Sequence, residues 1–149
     1  MITVRNTQRK IKIDVAQLKK DAQTVLDALE YSDFDLGIWI CSDAMIRQYN
    51  RDYRHKDKVT DVLSFPYHTE LKPGKRIRVK SEEDKNIGDL LIAPNYVVHD
   101  APRWDDTFED RMKVLLVHGI CHVLGYDHET EEEYAVMNKE EKKLLKLIR

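Results

Sequence analysis

Three histidines near the C-terminal end, His118, His122 and His128, constrain this 149-residue chain more than any other feature. His118 and His122 are four apart. A helix of about 3.6 residues per turn stacks such residues on one face, so a helical backbone lets both imidazoles point at a common ion. Gly125 is the residue type that accepts the left-handed conformation at the end of a helix, and from there the chain can double back so that His128 closes the site from outside. Three neutral nitrogens with a fourth position open make the donor set of a catalytic zinc, whereas structural zinc is usually closed by four ligands rich in cysteine. Half of the chain's histidines, at ligand spacing around a turn glycine, predict a catalytic metal centre.

Positions 118, 122, 125 and 128 match the zinc-protease pattern H-E-x-x-H-x-x-G-x-x-H except at the residue after the first histidine. The protease places there a glutamate that takes a proton from water; this chain has Gly119. A peptidase built this way lacks its base. Zinc itself brings water to a pKa near ~7, so a phosphodiester, which carries its own charged oxygens, is the better-matched substrate.

The run His118-Gly119-Ile120-Cys121-His122-Val123-Leu124-Gly125-Tyr126-Asp127-His128 resembles the signature of the bacterial YbeY family of rRNA-maturation endoribonucleases, approximately H-G-x-L-H-L-x-G-Y-D-H. Two further blocks agree with that family. Asn50 to Phe65 is similar to its N-x-x-Y-R-x-K-D-x-P-T-D-V-L-S-F segment, and Gly88-Asp89-Leu90-Leu91-Ile92 to its G-D-I-x-I strand. The order of the blocks and the chain length fit as well. The departures are Val59 for a usual proline, Cys121 and Val123 for usual leucines, and Val114 where many members carry another histidine. None removes a ligand.

The resemblance implies a zinc-dependent, single-strand-specific endoribonuclease acting in 16S rRNA 3′-end maturation and 70S ribosome quality control. Its partners would be rRNA and ribosomal particles, with ribosomal proteins or assembly GTPases among them. His118, His122 and His128 are then the ligands of one Zn2+. His118 and Arg54, which falls on the arginine of the N-x-x-Y-R segment, are the expected catalytic residues. A planar, permanent cation such as Arg54 can grip the scissile phosphate and offset charge developing on it. Asp127 is either an acceptor for a ligand imidazole or a turn residue. His55 falls in a charged turn, His68 and His99 are expected to be incidental, and Tyr67 and Tyr126 can stack on bases if they line the cleft. On chemistry alone nickel, cobalt and copper also suit imidazole donors. Two other classes stay open: a zinc hydrolase of a peptide, ester or small amide, and a non-catalytic ribosome-assembly factor.

A formal charge of −2 argues against binding nucleic acid by overall positive charge, so RNA would need a local basic patch. Arg47, Arg51, Arg54, Lys56 and Lys58 form one run, and Lys72, Lys75, Arg76, Arg78 and Lys80 another. Asp52, Asp57, Glu82, Glu83 and Asp84 dilute both. Cys41 and Cys121 make no disulfide framework and read as buried free thiols, the usual state in a reducing compartment. Cys121 points about 100° around the helix from His122 and is a poor fourth ligand. No apolar run is long enough to span a membrane and no signal peptide is evident, so a cytoplasmic location is expected.

The length suits a single domain over 1–149. Apolar periodicity predicts strands at Ile2 to Arg5, Phe34 to Cys41, Val62 to Tyr67 and Ile87 to Ala93. Helices are expected from about Asp14 to Tyr31, from a Ser42 cap to about Tyr53, from Pro94 to about Asp100, through the histidine segment, and after a Thr130–Glu133 capping box. Lys72 to Asn86, with Pro73-Gly74, reads as a mobile loop rather than core. On the last helix Tyr134, Met137, Leu144, Leu145 and Ile148 are expected to pack on the body. The pattern predicts an α+β fold with a four-stranded mixed sheet packed with helices, the metal-ligand helix lying near the C-terminus.

Overall fold

Alternation along the strands decides how this protein is layered. In the computed structural model, which describes residues 1–149, strand β1 (Ile2–Asn6) leads to helix α1 (Val15–Ala28), strand β2 (Asp35–Ile40) and helix α2 (Asp43–Arg54). Strands β3 (Val62–Pro66) and β4 (Asn86–Ile92) follow, then helices α3 (Pro94–Asp100), α4 (Phe108–Val123) and α5 (Glu131–Ile148). The sheet has the order β1-β2-β4-β3, with β1, β2 and β4 parallel and β3 antiparallel to β4. The expected single-domain α+β fold with a four-stranded mixed sheet is therefore present.

Ile2, Leu36, Ile38, Ile40, Leu90 and Ile92 point to one face and form the main core with α1, α4 and α5. The opposite face is covered only in part. There Cys41, Leu63, Leu91 and Ala93 pack against Ile46 of α2 as a smaller cluster. Both cysteines are buried and unpaired, and burial pushes the Cys41 thiol up to about 12 and the Cys121 thiol higher than its ordinary value. Both are buried thiols without a disulfide partner.

The helix starts follow local side-chain chemistry. Asp14, Ser42, Thr107 and Thr130 each accept a hydrogen bond from the backbone amide three residues on, which satisfies a donor the helix leaves open. The capping box at Thr130 is half formed, because the Thr130 hydroxyl receives the Glu133 amide at 3.1 Å without a return bond from Glu133. Asp21, on the inward face of α1, is buried at 6 % exposure and pairs with Lys113 Nζ of α4 at 2.7 Å, while Gln17 donates to it at 2.8 Å. A buried charge held this way ties the register of α1 to that of α4, since breaking the pair strands an uncompensated ion.

Helix α4 owes its position to two glycines. Gly119 faces β4 so closely that a Cβ there would lie 2.8 Å from Leu90 Cδ2 and 2.9 Å from Leu90 Cδ1. Position 119 therefore points into the core, away from any solvent-filled site. Gly125 has φ +97°, and a Cβ on it would run into the carbonyl of Leu71. The Gly125 amide donates to the His122 carbonyl at 3.0 Å and the Tyr126 amide to the Cys121 carbonyl at 3.1 Å, closing α4 with paired bonds of the Schellman kind.

The segment Lys72 to Asn86 departs from the expected mobile loop. Ile77 is buried in the main core, and its amide donates to the Tyr31 hydroxyl at 3.1 Å. Arg76 donates to the carbonyls of Leu29 and Glu30 at 2.8 and 2.7 Å and lies 4.2 Å over the Tyr31 ring, capping the C-terminal end of α1. A single isoleucine in a polar stretch carries no periodicity, so its burial could not be read from spacing. Tyr134 also departs from expectation: it is 58 % exposed, while Met137, Leu144 and Ile148 take the buried face of α5.

Replacing Gly119 with glutamate, the residue a peptidase would carry, forces an unpaired carboxylate against Leu90 and is expected to destabilise the fold by about 3 kcal/mol or more in urea unfolding. Gly125→Ala meets both the positive φ and the Leu71 carbonyl and is expected to cost more than about 1 kcal/mol by the same measurement. A neutral result for either would refute the packing described here.

Candidate metal centre

His118 and His122 leave one face of α4, and the turn closed by Gly125 returns His128 to them. One nitrogen from each ring lies within 4.8 Å of the others, so the trio could hold a metal ion. Ring centroids are 4.5 Å apart for His118–His122, 5.0 Å for His122–His128 and 5.5 Å for His118–His128. His118 and His122 are half-buried and His128 is exposed, which leaves the solvent side open.

The surroundings of His122 favour its neutral form. Burial, together with His118 and His128 nearby, pushes His122 down to about 4, so it is uncharged near neutral pH and its lone pair is free. Glu141 Oε2 on α5 accepts from His118 Nδ1 at 3.0 Å. An ionised carboxylate only accepts, so the proton belongs on Nδ1 and Nε2 carries the free lone pair. The donor set thus fits a small divalent cation that prefers nitrogen and tolerates three protein ligands.

Asp127 does not take the role of imidazole acceptor. Its Oδ1 receives the backbone amide of His128 at 2.8 Å, the turn function that was the other expectation for it. Glu141 went unnoticed in the sequence although a signal was there. It sits between Met137 and Leu144 on the stripe that otherwise faces the core, and a carboxylate on a buried stripe calls for a partner.

The triad opens into a cleft of about 940 Å³ formed by α4, α5, β3 and the segments flanking them. Arg54, at the end of α2, lines the same cleft and donates through Nη2 to the Ser64 carbonyl at 2.6 Å. It makes no ion pair. Two arginines of the first basic run are committed, Arg47 to Asp57 at 2.9 Å and Arg51 to Asp52 at 3.2 Å, whereas Lys56 lines the cleft beside Arg54 without an ion pair. His55 ends α2 in a left-handed conformation with φ +60° and is exposed. Tyr126 lines the cleft and Tyr67 does not.

Sequence reasoning missed several other cleft residues. His68, expected to be incidental, lines the cleft, and its Nε2 is 2.8 Å from the Asp84 carbonyl. Arg111 pairs with Asp61 at 3.5 Å and lies 3.8 Å from the centre of the Trp104 ring, and all three line the cleft. Val114 contributes an apolar patch of wall one turn before His118. His99 lies near the end of α3, away from this wall.

The chain matches the family model described as Endoribonuclease YbeY over residues 3–149. A human protein named Endoribonuclease YbeY is 38 % identical over 97 % of this chain and 86 % of its own length. A protein of the same name from Syntrophotalea carbinolica is 38 % identical over 100 % of this chain and 96 % of its own. The solution structure of TM1509 from Thermotoga maritima superposes with a TM-score of 0.64 at 24 % identity, covering 99 % of this chain and 89 % of that one, which shows a shared fold. With a family match across almost its whole length and relatives of that identity, this chain belongs to the YbeY family.

Proposed function

We propose that this protein is a zinc-dependent, single-strand-specific endoribonuclease acting in the cytoplasm on rRNA within ribosomal particles, in 16S rRNA 3′-end maturation and 70S ribosome quality control. The observation that carries this reading is one cleft holding both a converging histidine triad and an arginine, Arg54, that no carboxylate neutralises. The names of the relatives supply the substrate class, RNA.

His118, His122 and His128 would hold the ion, with Glu141 keeping His118 in the tautomer that presents Nε2. A bound zinc supplies a Lewis acid for phosphoryl oxygens and lowers the pKa of water toward neutrality. Arg54 is placed to bind a phosphate entering the cleft, and its bond to the Ser64 carbonyl holds the guanidinium in advance of binding. Trp104 and Tyr126 give the wall apolar surface against which a base or ribose can rest. A peptidase reading is disfavoured because position 119 faces Leu90, where no group could reach a substrate.

The deciding experiment is cleavage of a single-stranded rRNA fragment by nuclease-free protein, with metal content determined on the same samples. Arg54→Ala is expected to retain its metal and lose roughly 100-fold in rate. His118→Ala should lose both metal and cleavage. Equal cutting by all three proteins would mean a contaminant, and a metal-bearing wild type that cuts no RNA, free or in ribosomal particles, would sink the nuclease reading in favour of an assembly factor. Glu141→Ala should weaken zinc affinity by roughly 10- to 100-fold in a chelator competition, whereas Glu141→Gln, which keeps an acceptor oxygen, should recover most of it. Identical affinities for wild type and Glu141→Ala would remove Glu141 from the site.

A further inference from the structure

The face of the sheet away from the main core carries a second cleft, of about 630 Å³, that the metal centre does not use. The register β1–β2–β4–β3 places Arg5, Trp39, Leu91 and Leu63 across it in one row and Thr3, Gly37, Asp89 and Phe65 in the next. Tyr49 and Tyr53, one turn apart on α2, lean over its edge. Trp39, Tyr49, Phe65 and Tyr53 form a continuous aromatic wall: Trp39 meets Tyr49 edge-on with centroids 5.6 Å apart, Tyr49 stacks on Tyr53 at 5.6 Å and 14°, and both tyrosines meet Phe65 edge-on. Tyr53 remains 64 % exposed although the same rings surround it.

Asp35 is paired with the Met1 amino group at 2.9 Å and Trp39 Nε1 donates to the Thr7 hydroxyl at 2.8 Å, but two charged groups on this face are unspent. The Asp89 carboxylate lies over Gly37, in the space a Cβ there would fill, and makes no hydrogen bond or ion pair. Asp89 is exposed to solvent on this face, and partial desolvation raises its carboxyl above the usual carboxylate range. The Arg5 guanidinium lies 4.2 Å from the centre of the Trp39 ring and pairs with no carboxylate. At the other edge Arg54 Cζ is 5.9 Å from the Phe65 ring, so the arginine of the metal cleft also borders this one. Strand β3 separates the two clefts: Ser64 and Pro66 line the first and Phe65 the second.

We propose that this sheet face is a base-binding subsite for single-stranded RNA, in which a guanine rests on the Tyr53–Tyr49–Trp39 wall and offers its N–H edge to Asp89. The inference rests on the RNA-cleaving reading of the metal cleft and extends it, because a strand leaving that cleft past Arg54 crosses β3 directly onto this face. A carboxylate accepts and never donates, and guanine alone among the four bases presents two adjacent N–H donors on its pairing edge, N1–H and the N2 amino group. Aromatic planes bind any base by stacking, so the wall supplies affinity and Asp89 the preference. Arg5 and Arg54, at opposite ends, suit the flanking phosphates and repel a cationic side chain from a protein partner.

The chain's two tryptophans report on the two clefts separately, Trp39 on the sheet face and Trp104 on the metal cleft. Full-length, metal-loaded protein is titrated with a 2′-O-methyl uridine hexamer carrying one guanosine, followed through both indole N–H signals by NMR, with the oligonucleotide checked for integrity afterwards. The guanosine hexamer should shift both indoles. Replacing guanosine with inosine, which lacks the N2 amino group, or making Asp89→Asn should each weaken binding about tenfold, and Tyr53→Ala should weaken all hexamers by a similar factor. A shift of Trp104 with Trp39 unmoved would overturn the sheet-face site and leave the RNA reading of the metal cleft standing. Silence from both indoles would overturn both. A Trp39 response that is equal for all-uridine RNA and unchanged in Asp89→Asn would overturn the guanine assignment, as would a Trp39 response to an arginine-rich peptide and none to RNA.

Discussion

Helix α4 lies on β4 with no side chain between them at Gly119, and that close approach organises the rest of the molecule. Because residue 119 faces the sheet, its neighbour His118 turns toward the edge of the helix, and His122, four residues on, follows on the same side. The opposite flank, Val117, Ile120 and Leu124, is buried with α1 and α5. Any side chain at 119 would lift the helix from Leu90 and move both imidazoles with it. The glutamate of a peptidase and the packing of this helix are incompatible demands on one position, and packing prevails here.

The end of α4 is held with equal economy. Gly125 reverses the chain in a left-handed conformation, and the Leu71–Lys72 backbone covers it where a Cβ would have been. The strap between β3 and β4 thereby connects the turn that presents His128 to the C-terminal end of α1, which it grips through Arg76 and Ile77. A stretch so rich in lysine and arginine looks like solvated surface, yet Arg76 is spent on helix carbonyls and Ile77 on the core. The turn that carries the ligand from outside the helix is thereby anchored to the body of the fold, a requirement for placing three donors around one ion.

Charge in this protein acts locally. A formal net charge of −2 supplies no overall attraction to a polyanion, and most surface arginines near the cleft are already paired. Arg54 and Arg5 are the exceptions, lying against aromatic rings with no carboxylate in reach. A pair exposed to solvent contributes about 1 kcal/mol or less, so the paired arginines add little to stability and are withdrawn from binding. These two, with the unpaired Lys56 on the wall of the metal cleft, are what a phosphate would meet.

Much of this was legible in the sequence because it depends on backbone geometry within one element. Helical spacing puts His118 and His122 on one face, Gly125 ends the helix, Ser42, Thr107 and Thr130 start others, and period-two alternation marks the strands, so the fold class and the triad need no knowledge of distant residues. Membership of the YbeY family rested on the same local blocks. What only the tertiary structure decided are pairings between elements: Glu141 with His118, Asp21 with Lys113 across most of the chain, Arg76 with the end of α1, Ile77 with Tyr31, and the aromatic wall on the far side of the sheet. Those depend on how helices are set on the sheet and where a long connection is laid down. Each follows from the packing of the whole core, and no rule of sequence spacing specifies it.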